Sequence, residues 1–206
     1  MNFLAHCLIP DRAVADAHPD LLAGGFLGDF LKGPVPDHLP PVLATGIRLH
    51  RRIDAYSNEH PAIRRSCDAF PARLRRFAPI FVDVIADHLL ARHWHRFHPA
   101  PLPEFSRGAY AAIGRHVPRL PESGRRFFTL MTERDLLTRY REPQTLHRSL
   151  ASVARRLRRP GLEDGLEEIV AARLPRLEAD FLVYFPDLVH HAAHWLAARE
   201  AGGAQR

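Results

Sequence analysis

The sequence predicts an all-α fold, a single-domain helical bundle, and three observations carry that prediction. Apolar residues recur at helical spacing in almost every segment bounded by prolines. Nothing resembles two strands around an Asn-Gly or Asp-Gly turn, and sustained period-two alternation is absent. The chain has 206 residues, 46% hydrophobic and 25% charged, which suits one soluble domain with a substantial core. One domain is expected over residues 1–200, with 201–206 as a frayed tail.

Asn2 to Ile9 is too short to assign. Leu21, Leu22, Phe26, Leu27, Phe30 and Leu31 predict a helix over Asp20 to Lys32, stopped by Gly33-Pro34. Asp29 falls in its last turns, where a carboxylate opposes the macrodipole and calls for a cation. Gly28 before it allows a close approach by backbone or ligand. Pro40-Pro41 opens the next helix, which carries His50 and Asp54 on one face at i, i+4. An arginine-rich segment from Pro61 to Arg76 is interrupted at Pro71. A helix from about Pro79 to Arg96 follows, then a turn over Pro99 to Pro103. Further helices are predicted over Glu104 to Val117, Glu122 to Tyr140, Gln144 to Arg159 and Leu162 to Tyr184. Phe185-Pro186-Asp187 restarts the chain for a last helix to about Arg199.

The helix from Pro79 is the unusual one. Asp83 and Asp87 lie one turn apart on one face, and His88 stands beside them, among Val82, Val84, Ile85, Leu89 and Leu90. Carboxylates in so apolar a setting form either a buried network or a metal site. His6, Asp29, His50 and Asp54 are further polar residues in apolar helical segments of the same half of the chain. Carboxylate and imidazole without thiolate suit Mn²⁺, Mg²⁺ or Fe²⁺ better than structural zinc. Such an ion polarises a phosphoryl oxygen and acidifies water, so the residue set points to metal-assisted phosphoester hydrolysis. Histidine and aspartate on several helices are also the ingredients of the all-α HD-type phosphohydrolases. His190, His191 and His194 have metal-compatible spacing but little carboxylate nearby and read as a surface feature.

Composition narrows the rest. The net charge is +6, supplied almost wholly by arginine, which calls for an acidic partner. No helix-turn-helix signal or interleaved aromatic-basic pattern points to nucleic acid. The apolar runs are too short for a bilayer, and the first residues lack the pattern of a signal peptide, so a cytoplasmic location is expected. Cys7 and Cys67 read as two buried free thiols.

Four ordered blocks resemble the acyl carrier protein phosphodiesterases. They are Met1-Asn2-Phe3-Leu4-Ala5-His6, then Gly28-Asp29-Phe30 with Lys32-Gly33, then Gly46 through Asp54, then Asp83 through Trp94. The last is similar to an Asp-x-x-x-Asp-His-x-x-x-x-His-Trp segment of that family. Asp135-Leu136-Leu137 through Tyr140 and Phe185-Pro186 also agree. The resemblance implies hydrolysis of the phosphodiester between 4′-phosphopantetheine and a serine of holo-acyl carrier protein. It also implies a divalent metal, Mn²⁺ preferred, a distorted HD-type fold, and an acidic carrier protein as partner. Asp87-His88 reverses the His-Asp order of HD enzymes, so ligand roles do not transfer position by position. With that family in view, Asp29, His50, Asp87 and His88 are expected to contact the metal. Asp83 and Asp54 are expected to activate water or stand behind the ligands, Arg51 to clamp phosphate, and His6 to orient a ligand or leaving group. Arg48, Arg51, Arg64, Arg65 and the Arg155 to Arg159 cluster are candidates for docking the carrier protein. The rivals are an HD-like phosphohydrolase of nucleotides or other small phosphoesters, and a non-catalytic helical module that binds an acidic protein.

Overall fold

A computed structural model of the chain describes residues 2–203, which form eleven α-helices and two short 3₁₀ turns with no strand among them. The helices are α1 (Phe3–Ala13), α2 (Pro19–Leu27), α3 (Pro41–Glu59), α4 (Pro61–Asp68), α5 (Ala72–Arg75) and α6 (Ala78–Arg92), followed by α7 (Leu102–Gly114), α8 (Glu122–Glu133), α9 (Leu136–Arg139), α10 (Pro143–Arg156) and α11 (Leu166–Gly203). Proline opens most of them at the first turn, where its missing N–H has no intrahelical partner to lose.

The short N-terminal stretch is a helix, α1, with Leu4, Leu8 and Ile9 fully buried. α2 ends at Leu27, five residues before the expected Lys32. The N–H groups of Phe30 and Leu31 both turn back to the Leu27 carbonyl, at 3.0 and 2.9 Å. Asp29 therefore sits in a tight turn beyond the helix rather than in its last turns. α2 crosses α3 at a glycine pair: a Cβ on Gly24 would meet the Leu43 carbonyl oxygen at 2.5 Å, and one on Gly46 would meet that of Leu21 at 2.3 Å. That crossing sets the distance between Asp29 and the face of α3.

The segment expected to be one helix from Glu122 to Tyr140 breaks at Asp135, whose φ of 45° is left-handed, a conformation Asp tolerates. The expected restart at Pro186 does not occur. α11 runs unbroken through Pro175 and Pro186, about 57 Å at 1.5 Å per residue. An interior proline costs roughly 3 kcal/mol. Around Pro186 that cost is offset by four fully or almost fully buried side chains, Phe181, Tyr184, Phe185 and Leu188, each contributing about 1.5–3 kcal/mol. The helix also continues past Arg199 to Gly203; residues 204–206 of the expected tail lie outside the described residues.

Cys7 is buried, Cys67 is only partly so, and both are free thiols. Of the histidines expected at the surface, His191 is half-buried and stacks on Tyr56 with ring centroids 4.0 Å apart. Among the described residues no helix is long and apolar enough to cross a membrane.

Candidate metal centre

Three elements bring four polar side chains together. His50 and Asp54 stand one turn apart on α3, His6 comes from α1, and Asp29 from the turn after α2. Asp54 spans both imidazoles: its Oδ1 lies 3.0 Å from His6 Nε2 and its Oδ2 3.2 Å from His50 Nε2. Asp29 Oδ1 is 4.0 Å from the same His50 nitrogen. The two imidazole rings pack with centroids 3.9 Å apart. Local sequence makes this possible. A Cβ on Gly28 would fall 2.4 Å from His50 Cγ, and one on Gly25 would fall 2.2 Å from the His6 carbonyl oxygen. Glycine at these two places lets α1 and the His50 ring sit against α2.

His6 is 0% exposed and His50 3%, whereas the side chains of Asp54 and Asp29 are 40% and 33% exposed. The nitrogens thus approach from inside and the carboxylates face outward. Burial, with His50 adding to it, lowers His6 to about 3, so its imidazole is neutral; beside the ionised Asp54 its Nε2 carries the proton, which a cation at that place would displace. Burial alone would raise Asp54, but the hydrogen bonds with His50 and His6 prevail and hold it well below the usual carboxylate range. Burial raises Asp29, with His50 opposing the shift and Asp54 reinforcing it. His6, His50 and Asp54 each offer a ligand atom, and these atoms all lie within 4.8 Å of one another. A neutral His6 imidazole and an ionised Asp54 carboxylate beside His50, closed on the inner side and open on the outer, fit a divalent cation that must also accept an outside ligand.

A cleft of about 450 Å³ begins at Asp29 and Asp83 and is walled by α8, α9 and α10. Its inner floor is aromatic: Phe3, Phe30 and Phe127 pack with ring centroids between 4.5 and 6.2 Å apart.

The comparisons with known proteins bear on this arrangement. The family model described as acyl carrier protein phosphodiesterase matches residues 1–188. A Yersinia pestis protein named acyl carrier protein phosphodiesterase is 32% identical over 195 residues, covering 94% of this chain and 98% of the relative. Proteins of the same name from Escherichia coli O139:H28 and Shigella boydii serotype 18 are each 34% identical over 199 residues, with the same coverage. The chain belongs to the acyl carrier protein phosphodiesterase family. No solved structure matches it.

In this member of the acyl carrier protein phosphodiesterase family, the residues singled out from sequence fall into two groups. His6, Asp29, His50 and Asp54 converge as described. Asp87 and His88 are engaged elsewhere. Asp87 is fully buried, and its two oxygens accept the backbone N–H groups of Leu4 and Ala5 at 2.9 and 3.0 Å. It caps α1 from α6, a task the α1 N-cap residue Asn2 does not perform. Burial still pushes its carboxyl up to about 7 against those two hydrogen bonds. His88 Nδ1 pairs with the Tyr140 carbonyl oxygen at 2.7 Å, tying α6 to the end of α9. Asp83 lines the cleft, and burial raises its carboxyl above the usual range. Arg51 donates to the Leu31 carbonyl at 2.7 Å and so holds the Asp29 turn onto α3. The i, i+4 spacing signalled His50 and Asp54. Nothing local to residues 1–6 signalled that His6 completes their group, because its partner lies 48 residues away.

Proposed function

We propose that the chain hydrolyses the phosphodiester linking 4′-phosphopantetheine to a serine of holo-acyl carrier protein, releasing the apo carrier protein and 4′-phosphopantetheine. The observation that carries this reading is the His6, His50 and Asp54 cluster beside a cleft, in a chain of this family. His6, His50 and Asp54 are the proposed ligands, with Asp29 as a fourth donor on the cleft side. A divalent cation held there, Mn²⁺ by preference with Mg²⁺ or Fe²⁺ as alternatives, supplies Lewis acidity toward a phosphoryl oxygen and acidifies water.

The chain's own residues supply the rest. In the reaction a water oxygen bonds to phosphorus, the bond from phosphorus to the serine oxygen breaks, and that oxygen gains a proton. Asp83 lines the cleft beside Asp29 with a raised affinity for protons, which suits it to exchange that proton with water or with the departing serine oxygen. Arg51 fixes the Asp29 turn through one guanidinium nitrogen, and its remaining N–H groups are the donors offered to phosphate. Asp87 positions His6 by capping α1, and His88 holds α9 at the cleft wall. The free thiols Cys7 and Cys67 suit a reducing cytoplasm.

Mass spectrometry of holo-acyl carrier protein after incubation with enzyme and Mn²⁺ tests the proposal. Loss of the phosphopantetheine mass is expected. An intact carrier protein alongside cleaved nucleotides would replace this reading with the small-phosphoester one.

A further inference from the structure

The cleft has a second character away from its acidic end. Arg148, Ser152 and Arg156 stand at i, i+4 and i+8 on α10, and all three line the cleft. That spacing spreads the two guanidinium stems over about 12 Å of one helix face. Arg134, just after α8, joins them on the lining. All three arginines are exposed, and none has a carboxylate partner among the described residues. Arg139 in the same cleft differs, being neutralised by Glu142 at 3.0 Å.

Several of the arginines expected from sequence to meet a partner are engaged elsewhere, whereas Arg156 of that set stands on this wall. Arg65 pairs with Asp180 at 2.9 Å, Arg51 holds the Leu31 carbonyl, and Arg64 reaches the Asn58 carbonyl. The cleft therefore carries uncompensated positive charge along its wall and carboxylates only at its inner end. A small phosphoester has charge enough for the inner end alone. Guanidiniums strung along a helix face match a row of carboxylates on a folded partner.

We infer that Arg134, Arg148 and Arg156 form the docking wall for the acidic face of the carrier protein, and that its phosphate-bearing arm runs inward past Phe30 and Phe127 toward Asp29 and Asp83. This rests on the proposed function. Docking through the wall fixes which phosphodiester reaches the inner end, and it makes association sensitive to salt while the chemistry is not.

The test compares wild type with the double variant Arg148→Ser, Arg156→Ser and with Arg126→Ser, an exposed arginine paired with Glu122. Steady-state rates are measured on holo-acyl carrier protein and on bis(p-nitrophenyl) phosphate, both with Mn²⁺. Binding of fluorescently labelled apo carrier protein is measured by anisotropy, which needs no turnover. For the double variant, kcat/KM on the carrier protein should fall at least about tenfold more than on the small diester, through KM, with binding weakened in parallel. Raising salt from about 0.05 to about 0.3 M should weaken wild-type binding more than that of the double variant. Arg126→Ser should match wild type. Equal losses on both substrates, or unchanged binding of the carrier protein, overturn the inference. So does displacement of the bound carrier protein by single-stranded DNA at equal charge concentration, which would make the wall a general polyanion surface. Wild type that binds the carrier protein through these arginines but leaves its prosthetic group intact would sink the proposed function and leave the docking wall standing.

Discussion

His6 is the side chain whose surroundings fix most about the centre. It is buried, neutral and in ring contact with His50, and its Nε2 is aimed at Asp54. Its imidazole falls from an ordinary 6.5 to about 3, so in the unfolded chain it takes a proton that the folded protein refuses. Its contribution to stability is complete above pH 6.5 and is lost as the pH falls from there toward 3. At pH 5.5 the loss is about 1.4 kcal/mol. Asp87 titrates the other way: its contribution is present below the ordinary carboxylate range and disappears as the pH rises through about 7. The useful measurement is therefore a difference. In urea unfolding of metal-free protein, wild type should gain about 1.4 kcal/mol more than His6→Asn between pH 5.5 and 7.5; equal gains would contradict the burial argument. Among the described residues Asp54 is the one carboxylate that touches both imidazoles, so Asp54→Asn should cost more activity than the roughly 10- to 100-fold typical of residues standing behind a ligand. Near-wild-type turnover by a folded Asp54→Asn protein would remove Asp54 from the centre. Residue identity was legible in sequence where partners share a helix, as His50 and Asp54 do. It left the partner open at Asp87, because a carboxylate in an apolar helix looks the same whether it answers a cation or two backbone N–H groups.

At the scale of elements, the junction of α1 with α6 carries the most weight. Asp87→Ala leaves the N–H groups of Leu4 and Ala5 buried without acceptors, which should cost about 3 kcal/mol in chemical denaturation. It should also lower turnover by loosening His6. A loss under about 0.5 kcal/mol, the range of ordinary surface changes, would show the cap to be incidental. The α2 turn offers a cleaner probe. Gly28→Ala pushes a methyl into the His50 ring, so Mn²⁺ affinity measured by titration calorimetry should drop while the circular dichroism spectrum stays helical. Unchanged affinity would mean that His50 is not a ligand. The helices themselves were readable from apolar spacing and from prolines at first turns. Their joints were less so: Pro71 interrupts the chain between α4 and α5, whereas Pro175 and Pro186 lie inside α11. The difference is tertiary, set by how much apolar surface the flanking residues bury, and local sequence does not hold it.

For the molecule as a whole, the centre joins segments from three separate parts of the chain, so a cation bound there should stabilise the entire fold. At a free Mn²⁺ concentration about 100 times its Kd the gain should be about 2.7 kcal/mol, visible as a higher Tm, and Asp54→Asn should lose it. An identical Tm with and without Mn²⁺ in wild type would argue against the ligand set. The +6 charge announced an acidic partner from the sequence, but its address did not follow, because a count of arginines does not say which are already paired. The cap on α1 has one more consequence, for how the molecule comes into being. His50 and Asp54 share a helix and are together as soon as that helix forms. His6 comes from α1, which packs on α2 and is capped by Asp87, 83 residues from Leu4 along the chain. Closing so large a loop is slow compared with winding a helix. On the ribosome the cap on α1 cannot form until α6 has emerged, so the final setting of His6 arrives late, as a property of the finished fold.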